Sequence, residues 1–598
     1  MVSLRPLRRS RAALALFLAG VLSQSLDASM ANDNRLADFA SSSGFELFYA
    51  GPQWFVDALP GSRRAHSHYI LDRAGDVVES TTRHSSYVGT QRDVFDVGLF
   101  GNLSTFGRTA SANTSLPAGP LAPSAVITWD ANGAAGGNAW PTAANWDPDT
   151  VPGSADTATF ATTAGSTSIT INFGGGTNNG AANQIVGAIA LTGGESKTIS
   201  SSTATGGTLT LNGVGAVLLS NSSAFDLTLQ NGGSSPMNVA LANSGAIDVT
   251  STGSITISSS ISGAGSGFTK TGSGVLNLSG ANFYSGGTTL SNGTINLSGS
   301  GTLGSTSNAL TVNAGTLNLG GTNQIVGALN GTGGTINTST GSSTLTVGNG
   351  GGSGSYAGSI TNTGSVALTK TGAGTQTLTN NNSYTGPTII DDGTLELKNT
   401  GGVPALTGTS SVAVNNSGTL LFSANNQLNQ ALPPDISLGS GSGTAKIDAG
   451  GFSQGGSGAA GNPGLGALTL NSNATIDLTN TSVLHFADST GQAWTGTLSI
   501  LNWSGTPTTG GGLEQLMFGT GGIVPGVGPT QLSQIQFIDP VGFAAGTYSA
   551  IFAATNLNEI VPGVPIPEPS TWIGGALALA AIALTQRRRF SRLLRRAI

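Results

Sequence analysis

FTKTGSGVLNLSGANFYSGGTTLSNGTINL occupies residues 268–297, and one hundred residues further on LTKTGAGTQTLTNNNSYTGPTIIDDGTLEL occupies 368–397. Thirteen of the thirty aligned positions are identical without a gap, so the pair reads as a duplication. Both stretches end in a cassette, G-T-[LI]-x-[LI], that begins at Gly207, Gly293, Gly315, Gly393 and Gly496 and, as GTLLF, at Gly418. Its two apolar residues, such as Ile295 and Leu297 or Leu395 and Leu397, are two apart, which sends both to one face of a strand and the polar residue between them to the other. The glycine in front is read as the turn, because glycine takes positive φ without steric penalty. NQIVGAI from Asn183 and NQIVGAL from Asn323 are looser echoes.

One such strand cannot bury its apolar face alone, whereas many of them, each stacked on the previous coil, share a narrow continuous core. The pattern therefore predicts an all-β chain, best satisfied by a right-handed parallel β-helix or similar β-solenoid with terminal β caps. Roughly 20 to 25 residues per turn and about 4.8 Å between coils are expected. Outward Asn, Ser and Thr would then form ladders from coil to coil, and a low charge density avoids stacking like charges. The composition agrees, with 92 glycines and only 8% charged residues. There is no cysteine, which removes disulfides, thiolate metal sites and cysteine nucleophiles together.

The consensus TKTGxGxxxLxxxNxYxGxTxxxxGTLxL, with Lys270 and Lys370 in one slot and Tyr284 and Tyr384 in another, resembles the autotransporter-associated β-strand repeat. The resemblance covers the two stretches directly and, through the weaker echoes, residues 185–425. It implies a passenger-like β-helix. No run of ten-residue amphipathic strands suggests a C-terminal translocating barrel, so the chain reads as passenger-like without being an autotransporter.

Basic residues mark the two ends. Four arginines fall in the first eleven residues and six in the last twelve, while residues 109–586 hold no arginine and five lysines. The N-terminus has a basic region, an apolar run from Ala12 to Leu22 and small residues at Ser29 and Ala31, the order of a secretory signal peptide over 1–31. At the other end Pro567, Glu568 and Pro569 precede an apolar run from Trp572 to Leu584 and then Arg587, Arg588 and Arg589. That run is shorter than a hydrocarbon core of about 30 Å requires, and the arginines would hold its C-terminus in the cytoplasm. The arrangement resembles the PEP-CTERM sorting signal. It implies an exosortase as processing partner, cleavage near Pro567–Pro569, a transient stay in the inner membrane and a final place at the cell surface in an exopolysaccharide matrix.

The expected organisation is a signal peptide at 1–31, a charge-richer region of no recognised family at 32–125 and a Trp-rich module at 126–165. The repeat solenoid follows at 166–462, then a C-terminal β cap at 463–562 and the sorting signal at 563–598. Without both ends, 12 basic residues face 27 acidic ones, a balance that repels nucleic acid.

Trp129, Trp140 and Trp146 offer two readings, a glycan-stacking surface or a cap over the open end of the core. His66, His68 and His84 are the only histidine cluster, and solvated side chains are preferred over a metal site. Asp391 and Asp392 are adjacent, and Asp147, Asp149 and Asp156 lie in a Pro-rich turn. Neither group offers the paired carboxylates on one face that a polysaccharide lyase or hydrolase needs. The sequence thus favours a non-catalytic structural or adhesive surface protein without cofactor or metal. A glycan-binding module is the alternative and a β-helix lyase or hydrolase the more distant one.

Overall fold

The computed structural model describes the strands between residues 45 and 83 as backbone, most of residues 125–566, and residues 577–584 and 586. The chain divides into two units between Pro117 and Ala118. In the first, Phe45–Ala50, Gln53–Ala58, His66–Leu71 and Val77–Arg83 form an antiparallel sheet in chain order.

The second unit is a stack of parallel coils, as the cassettes require. One side runs from Val126–Trp129 through Thr157–Phe160, Ala188–Leu191, Val217–Asn221 and Gly245–Val249 to Phe268–Thr271, and on to Leu329–Asn330. A bridge from Gly331 to Tyr356 hands it to a sheet whose parallel strands continue to Ile535–Ile538. A second side runs from Ser168–Ile171 to Ser359–Ile360. A third carries Asn183–Val186, Gly207–Leu211, Met237–Leu241 and Ser260–Ser262, and further along the chain a separate sheet holds the strands from Gln324–Ile325 to Leu468–Leu470. The apolar residues of all coils form one continuous buried cluster.

Coil length is not constant. Ile189 pairs with Leu219 and Leu219 with Ile247, coils of 30 and 28 residues, whereas Lys270 pairs with Leu290 and Leu290 with Val312, coils of 20 and 22. The coils of 20 and 22 residues meet the expected length, whereas those of 28 and 30 exceed it, as does the 32-residue coil from Ile436 to Leu468. The duplicated stretches also lie on different sides. Residues 268–271 and 275–278 belong to the first and second sides, while 365–370 and 375–378 belong to the third-side sheet and the continuation of the first. Within each stretch the register is the same, its first two strands stacking directly beneath its last two.

Every cassette turns both apolar residues inward, from Leu209 and Leu211 to Leu498 and Ile500. Gly293, Gly315 and Gly393 have φ of 75°, 79° and 65°, as a turn glycine should. At the Gly207 cassette the turn falls one residue earlier, on Gly206 at 67°. Gly418 and Gly496 have no positive φ; a Cβ there would collide with the Ile390 carbonyl oxygen and the Ser472 backbone of the neighbouring coil.

The strands of residues 126–165 open the parallel stack. Residues from 463 to 538, expected in a cap, add further parallel strands at 468–470, 474–477, 498–501 and 535–538. Only Thr547–Ala553 and Asn556–Pro565 turn back antiparallel and end the stack.

Candidate functional site

The two lysines of the duplicated pattern point into the core, where their side chains are fully buried. Alternation puts them there, since Phe268 and Lys270 share the inward face of one strand and Leu368 and Lys370 that of another. Each ammonium donates to carbonyl oxygens at a corner of the coil. Lys270 Nζ reaches Thr271 at 2.5 Å, Gly272 at 2.9 Å and Asn292 at 3.5 Å, and Lys370 Nζ reaches Thr371 at 2.8 Å, Gly372 at 2.6 Å and Asp392 at 3.0 Å. The third acceptor belongs to the next coil, so one cation ties two coils together. Burial lowers both pKa values, that of Lys270 to about 8, with Asp248 and Asp392 partly opposing the shift. The pattern's tyrosines are equally internal. Tyr284 bonds Thr288 at 2.5 Å and Tyr384 bonds Thr388 at 2.6 Å, and burial pushes both phenols far above their ordinary value.

Inward amides do similar work, and the sequence reading missed them. Gln376 accepts from the Leu329 N–H at 3.2 Å and donates to the Leu329 carbonyl at 2.9 Å, and Gln427 does the same for Asn399 at 2.7 and 3.1 Å. In both NQIV echoes the glutamine faces inward and the isoleucine outward; Gln184 and Gln324 are buried, while Ile185 and Ile325 are each 44% exposed. The available signal was a glutamine at an inward register position, within a strand for Gln184, Gln324 and Gln376 and outside one for Gln427.

Trp129, Trp140 and Trp146 are all buried. Trp146 packs edge-on against each of the other two at 4.9 Å, and all three pack on Phe160. The Trp146 indole N–H donates to the Trp140 carbonyl at 2.9 Å. A glycan-stacking role needs an open ring face, and none of the three presents one.

The outward faces are polar and almost without positive charge. On the second side a ladder climbs the coils: Asn277 donates to Thr256 at 3.1 Å, Asn296 to Asn277 at 3.1 Å, Asn318 to Asn296 at 3.2 Å and to Ser339 at 2.8 Å. Of the five lysines between 125 and 566, Lys197, Lys270 and Lys370 are buried. Lys398 pairs with Glu396 at 3.5 Å, and Lys446 lies between Asp448 and Asp477 at 2.9 and 2.8 Å. Burial opposes the charge on Lys446, but the bonds to Asp477 and Asp448 outweigh it and raise its pKa. Burial likewise would raise Glu396, and hydrogen bonds from Thr377 and Ser423 bring it below the usual range instead.

The carboxylates weighed for catalysis have local partners. Asp391 accepts from Asn415 and Asp392 from the Gly393 N–H, both at 2.9 Å. Asp156 accepts from Gly153 and Ala125, while Asp147 and Asp149 are exposed. No group of three or more His, Cys, Asp or Glu that could hold a metal occurs among the described residues. His66 and His68 lie two apart in one strand, and His84 lies outside the described residues. So do Pro567, Glu568, Pro569, Arg587, Arg588, Arg589 and the whole of 1–31. Residues 577–584 are helical. No helix among the described residues is long and apolar enough to cross a membrane.

Comparison with curated proteins finds no match, and neither does comparison with solved structures. A family model does match: residues 268–297 and 368–397 each match the passenger-associated transport repeat. These are the two stretches that carry the buried lysine, the buried tyrosine and two stacked pairs of strands apiece.

Proposed function

We propose that this chain is an exported passenger-type β-solenoid, right-handed in its coiling, that stands at the cell surface in a structural or adhesive role within an exopolysaccharide matrix and performs no catalysis. The observation that carries this reading is that both passenger-associated repeats are built into one parallel stack, two strand pairs each. Long outward faces of Asn, Ser and Thr suit many weak contacts, whose strength comes from multiplicity. A signal peptide at 1–31 starts export. The apolar segment ahead of Arg587, Arg588 and Arg589 then holds the chain in the inner membrane until an exosortase cuts near Pro567–Pro569. The acidic balance argues against nucleic acid as a partner.

The test is the mass and C-terminal peptide of the mature protein taken from its native cell surface. An end near Pro567–Pro569 is expected; a chain reaching Ile598 would overturn the processing step and leave a membrane-tethered protein. A screen of the host exopolysaccharide for new reducing ends or unsaturated sugars is expected to stay blank, and their release would overturn the non-catalytic reading.

A further inference from the structure

On the third side of the stack the outward residues form two columns. Asn183, Thr208, Asn238 and Ser260 make one, in register across four coils. Ile185, Thr210, Ala240 and Ser262 make the other, and the Phe283 N–H donates to the Ile261 carbonyl at 2.7 Å, which sets Phe283 beside Ser262 at the column's end. Phe283 is 67% exposed. Along the first column a groove of about 400 Å³ is lined by Thr208, Asn238, Ser258, Ser260, Ala281 and Ser300 among others, and no charged side chain borders it. Asn238 donates to Ser262 at 2.7 Å and accepts from Ser260 at 3.3 Å, so its amide is held flat along the face.

The coil itself does not need this phenylalanine. The duplicate stretch places Ser383 at the same position, and the flanking geometry is conserved: Asn282 accepts from the Ile261 N–H and Asn382 from the Ile360 N–H, both at 2.9 Å, with a buried tyrosine two residues on in each. Phe283 thus presents to solvent an aromatic ring that the coil geometry does not itself require.

We infer that the face around Phe283, Asn238, Ser260 and Ser262 is a binding site for a neutral polysaccharide chain. The inference rests on the matrix reading above and names its ligand class. A flat apolar ring flanked by amide and hydroxyl groups matches the C–H face and hydroxyls of a pyranose, the ring supplying area and the polar groups orientation. Charge decides against an acidic polymer. The two lysines that are not buried, the exposed Lys398 and the half-buried Lys446, are already paired with carboxylates, and the acidic excess repels polyanions.

Native gels cast with a neutral polymer (dextran or a soluble β-glucan) or with the acidic polymer alginate test this on the purified chain and on Phe283→Ser, the residue that the duplicate carries. Retardation by a neutral polymer is expected for the unaltered chain, with apparent affinity falling on the order of tenfold in Phe283→Ser and an unchanged unfolding midpoint. Equal retardation of both proteins would overturn the site, and preference for alginate would overturn the ligand class. No retardation by either neutral polymer would overturn the proposal outright, as would a polymer-independent dimer abolished by Phe283→Ser, which would make the face a contact between copies. Because the measurement uses purified chain, its failure leaves the localisation reading untouched, and an unprocessed C-terminus at the cell surface leaves this site untouched.

Discussion

Replacing Lys370 by Met would remove the donor shared by the carbonyl oxygens of Thr371, Gly372 and Asp392 while keeping most of the apolar stem. Stranding buried acceptors costs about 2 kcal/mol, so the urea midpoint should fall clearly in Lys370→Met. An unchanged midpoint would show the lysine to be replaceable filler. The pH dependence follows from the same burial. Lys270 releases its proton near pH 8 when folded but at its ordinary value of 10.5 when unfolded, so between those limits the unfolded chain binds more protons and stability rises with pH. Tyr284 and Tyr384 act in the opposite sense above their ordinary 10.0, where the unfolded chain loses a proton that the folded chain keeps, and stability falls. Thermal unfolding from pH 7 to 11 should therefore show Tm rising from about pH 8, levelling near 10 and declining beyond. Lys270→Met should flatten the rise. A Tm that falls steadily from pH 7 would refute the assignment. At this scale the sequence showed that Lys270 and Lys370 occupy one slot, but not that the slot is inward, because a charged residue at an alternating position ordinarily reads as solvent-facing.

Strands and turns differ in how much a single change disturbs them. Gly393→Ala would place a side chain at φ 65° against the carbonyl oxygens of Gly372 and Gly374, so both strain and collision oppose it. Asn296→Ala removes two exposed-face bonds, to Asn277 and Asn318, each worth under about 1 kcal/mol. The loss of urea midpoint should therefore be several times larger for Gly393→Ala, and parity between the two would contradict the close approach of the coils. Trp146→Ala removes the centre of the aromatic cluster at the start of the stack and should cost about 3 to 5 kcal/mol. Because each coil touches only its neighbours, amides in 126–160 should exchange faster while those in 365–397 stay protected. The cassettes were legible because an apolar pair two apart has only one strand reading. NQIV misled for a related reason: Ile185 and Ile325 are the apolar residues, yet the inward position goes to Gln184 and Gln324, and Gln324 makes the backbone bonds, to Leu303 and Gly301, that a missing ladder would have made.

For the molecule as a whole, parallel stacking was legible from the duplication, whereas coil length and the side each stretch occupies were not. Both depend on how much chain is spent at the corners, and a corner has no periodicity to read. The outward chemistry was legible as composition only. That three of the five central lysines point inward required the structure, and so did the exposure of Phe283, whose serine counterpart was visible in the aligned stretches.

The buried lysines also decide how the folded stack meets a trypsin-like protease. Between residues 109 and 586 such an enzyme has no arginine to cut at and five lysines. Lys197, Lys270 and Lys370 are shut inside the coils, and Lys446 is held between two carboxylates. Lys398, its side chain 52% exposed, is the open site among them. Limited digestion of the folded chain should cut this span first at Lys398, and the other four lysines should become cleavable only as the coils open on heating. The inward charges that tie one coil to the next thereby also remove, from a long polar surface, nearly every handle by which a common class of extracellular enzyme would degrade it.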